Sequence, residues 1–108
     1  MKRFISIALL TVSTAASADF YTGNDLFERL NDPDRVYLGM GYIAGVADLG
    51  SGEYHCAPEN VTLGQARDMV TQYLRLNPSN RHMSASVLVT LTLMEKWPCA
   101  KKKKGGNL

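Results

Sequence analysis

The sequence has few of the residues from which most catalytic sites are built. In 108 residues it has two histidines, His55 and His82, and two cysteines, Cys56 and Cys99. No serine, histidine and aspartate set and no pair of carboxylates has a spacing that predicts a shared site. A metal site made by Asp48, His55 and Cys56 matches no recurrent ligand spacing, and a disulfide at Cys56 would remove its thiolate. We therefore predict that the protein is not an enzyme and needs no metal or cofactor.

Long apolar runs are also lacking, except for one at the N-terminus. Lys2 and Arg3 precede an apolar run at residues 4–12, and small residues at 16–18 follow it, which is the pattern of a secretory signal peptide. The run is too short for a spanning helix, which needs about 20 apolar residues. We predict cleavage after Ala18 and an exported chain whose single domain is residues 19–100.

An excess of positive charge is missing from the predicted mature protein. Without Lys2 and Arg3, the twelve basic residues of the full chain become ten, which equals the number of acidic residues. Four of the ten are consecutive lysines at 101–104, so residues 19–100 have a net charge of −4. Such a body disfavours nucleic acid and suits a basic partner. The segment 101–108 is typical of a solvated, disordered tail, with attraction to an anionic surface as the alternative.

Two cysteines in an exported chain predict one disulfide between Cys56 and Cys99, with two separate thiols as the alternative. A bond between cysteines this far apart would stabilise a small domain by roughly 4 kcal/mol in the chain-entropy model. It would also tie down the segment 52–60, which is rich in helix breakers and which we predict to be an ordered binding loop.

Four segments have the apolar periodicity and the capping residues of helices, and no segment alternates as a strand over more than a few residues. The first begins at Thr22, and the second runs from Asp32 and Pro33 to residue 49. The third begins at a capping box on Thr62 and ends before residue 78. The fourth, residues 83–97, is apolar on almost every side, which predicts a position in the middle of a small all-α bundle.

Glycines in the second helix predict a close contact with another backbone. Gly39, Gly41 and Gly45 each lower helix stability by roughly 0.5 to 1 kcal/mol relative to alanine. Gly41 and Gly45 lie four residues apart on one face, which Asp48 and Gly52 continue. We expect this face to pack on the fourth helix of the same chain. The alternative is a second copy of the second helix across a dimer axis.

Three ordered motifs carry a resemblance to a known family. They are GYIAGVAD at residues 41–48, YHCAPENVTLGQARDMVTQYLRLNP at 54–78, and RHMSASVLVTLTLMEKWPC at 81–99. In this order and with these gaps, they resemble the Rap/Tai family of periplasmic immunity proteins. The resemblance covers most of the predicted mature chain.

The resemblance implies an all-helical, disulfide-bonded and usually dimeric protein in the periplasm. Its implied function is to bind and block a peptidoglycan amidase that a type VI secretion system delivers. Blocking the groove of such an enzyme favours a rigid loop over a flexible one. The segment 52–60 and the turn at 77–82 are the two candidates. The side chains that we predict to contact the partner are Glu53, Tyr54, His55, Glu59, Asn80 and Arg81.

A rival interpretation keeps the same fold and changes its role. The chain would then be a small periplasmic binding or stress protein without a toxin partner. A neighbouring gene for an amidase would favour immunity, whereas an isolated gene would favour the rival.

Overall fold

The computed structural model describes residues 20–100. The predicted signal peptide and the lysine-containing tail lie outside these residues. The described part contains four α-helices and a short 3-10 helix, so the predicted all-α fold is confirmed. In chain order they are α1 (Gly23–Leu30), α2 (Val36–Gly50), α3 (Leu63–Leu76), the 3-10 helix (Pro78–Asn80) and α4 (Ala85–Lys96). None of the helices within this part is long and apolar enough to cross a membrane.

Capping boxes fix the starts of α1 and α3, as the sequence predicts. The Thr62 hydroxyl accepts a hydrogen bond from the Gln65 backbone N–H at 3.1 Å, and the Gln65 side chain accepts one from the Thr62 N–H at 2.8 Å. At α1, Thr22 and Asp25 make the same reciprocal pair. The Thr22 N–H holds the pKa of the Asp25 carboxyl below its usual range, because this hydrogen bond favours the charged form.

The predicted start of α2 is wrong by about three residues. Asp32 and Pro33 lie in a turn, and the helix begins at Val36 and runs through Gly50. The Asp32 carboxylate accepts hydrogen bonds from the Asp34 N–H at 2.9 Å and from Arg35 Nε at 2.7 Å. The Asp32 carboxylate thus makes a cap-like bond, but the backbone closes a single turn there, with the Arg35 N–H donating to the Asp32 carbonyl at 3.0 Å, and the helix starts only after it.

The core lies where one face of each helix meets the others. Each α-helix contacts the other three, and α4 supplies four of the ten buried apolar residues. Its opposite face is open, since Val87 is 43 % and Leu91 is 45 % exposed. The prediction that α4 is surrounded is therefore wrong: three short helices cover only part of its circumference. The buried apolar residues are Leu26, Leu30, Ile43, Ala66, Val70, Leu74, Ala85, Leu88, Val89 and Leu93.

The glycines of α2 divide into two groups. At Gly39, an added Cβ would lie 2.7 Å from Leu30 Cδ2, so this glycine allows α1 to approach α2. At Gly41 and Gly45, an added Cβ would meet no described atom within 4 Å. The expectation that this row packs on α4 is wrong at Gly41 and Gly45, because no described atom lies against these two positions. The dimer alternative stays a prediction.

Candidate binding site

The loop between α2 and α3, residues 51–62, is held mainly by its own backbone. The Tyr54 N–H donates to the Gly50 carbonyl at 2.8 Å, and the Gly52 N–H donates to the His55 carbonyl at 2.8 Å. Gly52 has a φ of +81°, a conformation that glycine adopts without the clash of a Cβ. These bonds close a tight turn directly after α2.

A disulfide fastens this loop to the end of α4. Cys56 and Cys99 are bonded, as predicted, and their Cα atoms are 4.8 Å apart. Beside the bond, the Cys56 N–H donates to the Trp97 carbonyl at 2.8 Å. The middle of the loop therefore has both a covalent and a hydrogen-bonded connection to the last helix.

His55 points inward and supports the loop. It is 4 % exposed, and its Nε2 lies 2.8 Å from the Ala47 carbonyl oxygen. That contact requires a proton on Nε2, which leaves Nδ1 to accept the Ala57 N–H at 3.4 Å. The ring thus joins the loop to α2, and its remaining edge forms part of a cleft wall.

This cleft opens between the loop and the ends of three helices, with a volume of about 310 Å³. Ala47 of α2, Ala66 of α3 and Leu93 of α4 contribute apolar walls, and Trp97 lies beside them. Asp48 and Glu59 supply two carboxylates to the same lining. We name this feature the acidic cleft.

The exposed loop side chains that the sequence predicts as contacts divide between two sides of the loop. Glu59 lines the acidic cleft. Tyr54 is 51 % exposed and lines a separate shallow groove with Leu49 and Val87. Glu53 is exposed in the turn that follows α2. A partner that covers the loop would meet both negative charge and apolar surface.

Asn80 and Arg81 lie elsewhere, at the turn between α3 and α4. The Arg81 carbonyl accepts a hydrogen bond from the Asn24 N–H at 2.7 Å, and the Arg81 guanidinium lies 4.4 Å from the centre of the Phe27 ring. The Asn80 side chain donates to the Tyr73 hydroxyl at 3.3 Å. Both side chains hold the turn against neighbouring helices.

The loop and the turn are separated by the length of α3. The loop precedes this helix of 14 residues and the turn follows it, which corresponds to a distance of about 21 Å along the helix axis. The six predicted contact residues therefore form two groups, four at the loop and two at the turn.

The sequence analysis predicts only His55 and Glu59 of the cleft lining as contacts. It places Asp48 in the glycine row and Trp97 at the end of the last helix. A signal was available for Trp97, because it is the only tryptophan and lies two residues before Cys99. A disulfide to the loop brings such a residue against the loop.

These features define a class: small all-α proteins with one disulfide and a tied surface loop. The chain belongs to the family of Rap1a immunity proteins, whose family model matches residues 22–99. The match includes all four α-helices and both cysteines. The family is one of immunity proteins and not of enzymes, so the chain is assigned to immunity against a secreted effector. No curated protein matches this sequence.

Proposed function

We propose that this protein binds a type VI secreted peptidoglycan amidase in the periplasm and blocks its active-site groove. The family supplies the immunity role, and the amidase is the target that the resemblance to the Rap/Tai family implies. The observation that carries the proposed mode of binding is the tied loop at 51–62. It projects exposed side chains from a backbone that is already ordered.

Order before binding matters because a loop that must become ordered loses part of its binding energy to conformational entropy. Here the disulfide, the Gly52 turn and the buried His55 ring fix the loop in advance. Tyr54 is the anchor of the proposed contact, since large aromatic side chains carry much of the energy of protein interfaces.

Export to the periplasm accounts for the leader pattern and for the disulfide together. Disulfides persist in oxidising compartments and are rare in the cytosol. The Cys56–Cys99 bond is therefore the structural feature that supports this location.

We also propose that two copies associate through the exposed face of α2. Gly41 and Gly45 leave this face without bulky side chains, and a Cβ added at either position would meet no described atom within 4 Å. Such a row of small residues allows two helices to approach closely. Gly45→Leu should stay folded and become monomeric in light scattering. A variant with unchanged mass would contradict this dimer.

The direct test is inhibition of the type VI secreted amidases of the source organism. The mature protein should bind one of these enzymes and stop its release of peptidoglycan fragments at equimolar concentration. Reversing Glu53 and Glu59 to lysine should weaken binding, because the acidic body suits a basic partner. Deleting residues 101–108 should leave binding nearly unchanged.

The turn supplies a matched control. Asn80→Ala should change amidase binding much less than the two charge reversals, because Asn80 bonds to Tyr73 within the chain. Loss of binding on deletion of the tail alone would move the site to the C-terminus. Absence of any binding to a cognate amidase would favour the rival role as a binding or stress protein.

A further inference from the structure

We infer that the acidic cleft receives one lysine or arginine side chain from the effector. This inference rests on the proposed function, and it names the chemical group that the cleft recognises. The occupant enters with its aliphatic stem against the apolar walls and leaves its charged end beside Asp48 and Glu59.

The size and walls of the cleft suit one long side chain. Its volume of about 310 Å³ is at the small end of the range for ligand sites. Ala47, Ala66 and Leu93 have no polar side-chain atoms, so they offer only dispersion contacts, and Trp97 adds an aromatic wall. Lysine and arginine bury their methylene stems along such surfaces while their charged ends stay in water.

The two carboxylates of the cleft favour an occupant with a positive charge. Asp48 and Glu59 are exposed, and within residues 20–100 neither carboxylate has a recorded ion pair or hydrogen bond. No lysine or arginine is among the residues that line the cleft. Both carboxylates are therefore available to a cation from outside.

A purely apolar occupant fits less well, because it would remove water from two carboxylates without replacing it. A cation compensates that loss and adds attraction, although each exposed charge contributes modestly in water. The combination of apolar contact and charge favours lysine or arginine over leucine or norleucine.

The position of Trp97 gives a direct readout, since it is the only tryptophan in the chain and lies in the cleft lining. The probes are the peptides acetyl-Gly-Gly-X-Gly-Gly-amide, where X is lysine, arginine or norleucine. Trp97 fluorescence and amide shifts of the mature protein report their binding. We expect saturable binding of the lysine and arginine peptides and roughly fivefold to tenfold weaker binding of norleucine.

Two variants test the carboxylates, and a third variant is the control. Asp48→Asn and Glu59→Gln should each weaken the lysine peptide several-fold. Asp34→Asn is the control, because it removes one exposed charge in the turn before α2, outside the cleft, and it should have no effect. Equal binding of lysine and norleucine, or no saturable lysine binding, would overturn the inference. A large gain in lysine binding on deletion of residues 101–108 would also overturn it, since the chain's own tail would then be the occupant.

Measuring the affinity for the amidase itself separates this inference from the proposed function. The double variant Asp48→Asn, Glu59→Gln should lose at least about tenfold in affinity for the amidase, or about 1.4 kcal/mol. Unchanged affinity would refute the cleft as an effector site and leave the immunity role intact. Lysine-peptide binding without any amidase binding would refute the proposed function and the effector as the source of the side chain.

Discussion

The two ends of α3 are held in different ways. At the turn end, the side chains of the candidate contacts are engaged in addition to backbone hydrogen bonds to α1: Arg81 packs on Phe27, and Asn80 bonds to Tyr73. At the loop end, the disulfide, backbone hydrogen bonds and the inward-pointing His55 ring hold the chain. Glu53, Tyr54 and Glu59 are consequently exposed there.

This difference separates a structural end from a binding end. A side chain that holds two helices together is not free to contact a partner without loosening the fold. A loop that is fixed by its backbone and by a covalent bond can vary its surface residues at little expense in stability. The contrast favours the loop over the turn as the region that meets the effector.

The largest expected effect comes from removing the covalent bond at the loop end. Cys99→Ser should lower the free energy of unfolding by roughly 2 to 5 kcal/mol, because the unfolded chain regains the freedom of a long loop. Chemical denaturation of the wild type and the variant measures this loss. Reductant should destabilise the wild type and leave Cys99→Ser unchanged. Equal melting temperatures of the wild type with and without reductant would show that the bond does not stabilise this end.

The next largest effect is at the turn end, where the backbone of the turn approaches the start of α1 closely at Gly23. An added Cβ there would lie 2.5 Å from Leu88 Cδ1 and 2.9 Å from the Arg81 Cα and carbonyl oxygen. Backbone atoms cannot move aside cheaply, so Gly23→Ala should lower the free energy of unfolding by about 1 to 3 kcal/mol. Thermal unfolding measures it. An unchanged melting temperature would show that the turn end is loosely packed.

The same substitution on the open row of α2 should act in the opposite direction. Gly45→Ala adds a Cβ that meets nothing within 4 Å in the described chain. It should therefore raise the free energy of unfolding by about 0.5 to 1 kcal/mol through helix propensity. Unfolding of the wild type and the variant should be measured at protein concentrations at which light scattering shows a monomer. A loss of stability under those conditions would show that Gly45 is packed within one chain.

The smallest effect is a pH dependence at the start of α1. The pKa of Asp25 is lowered in the folded protein, chiefly by the hydrogen bond from the Thr22 N–H. Its contribution to stability is therefore fully present above the ordinary aspartate pKa of about 3.9, and is lost as pH falls through the lower folded value. Asp25→Asn should be less stable than the wild type at neutral pH, and the difference should narrow below about pH 4. If the difference in stability between Asp25→Asn and the wild type stayed constant across pH, the Asp25 carboxylate would not be the cause of the loss.

Local signals in the sequence predicted much of the fold. The capping boxes at Thr22 and Thr62 involve residues three apart, so the chain forms them without help from distant contacts. The start of α2 was misplaced because Asp32 followed by Pro33 suits both a helix cap and a turn. The Arg35 side chain, which bonds to Asp32 and to Glu28, favours the turn.

The site was predicted less completely, because a cleft is made by residues that are distant in sequence. Glu59 and His55 were identified within the loop, whereas Asp48 and Trp97 join them only when α2 and α4 meet the loop. The sequence leaves the loop and the turn with Asn80 and Arg81 as two candidate contact regions, because the distance between them along α3 appears only in the structure.

By itself, the sequence determined the helical class, the two capping boxes, the cysteine pair and the acidic body, because each depends on residue type or on neighbours along the chain. The tertiary structure decided which faces are covered. Gly39 and Gly45 lie in the same helix and have the same chemistry, yet one meets Leu30 and the other meets no described atom. Helical periodicity places residues on a face, but only the packing of the other helices decides whether that face is buried. The open row on α2 and the acidic cleft are both consequences of that packing.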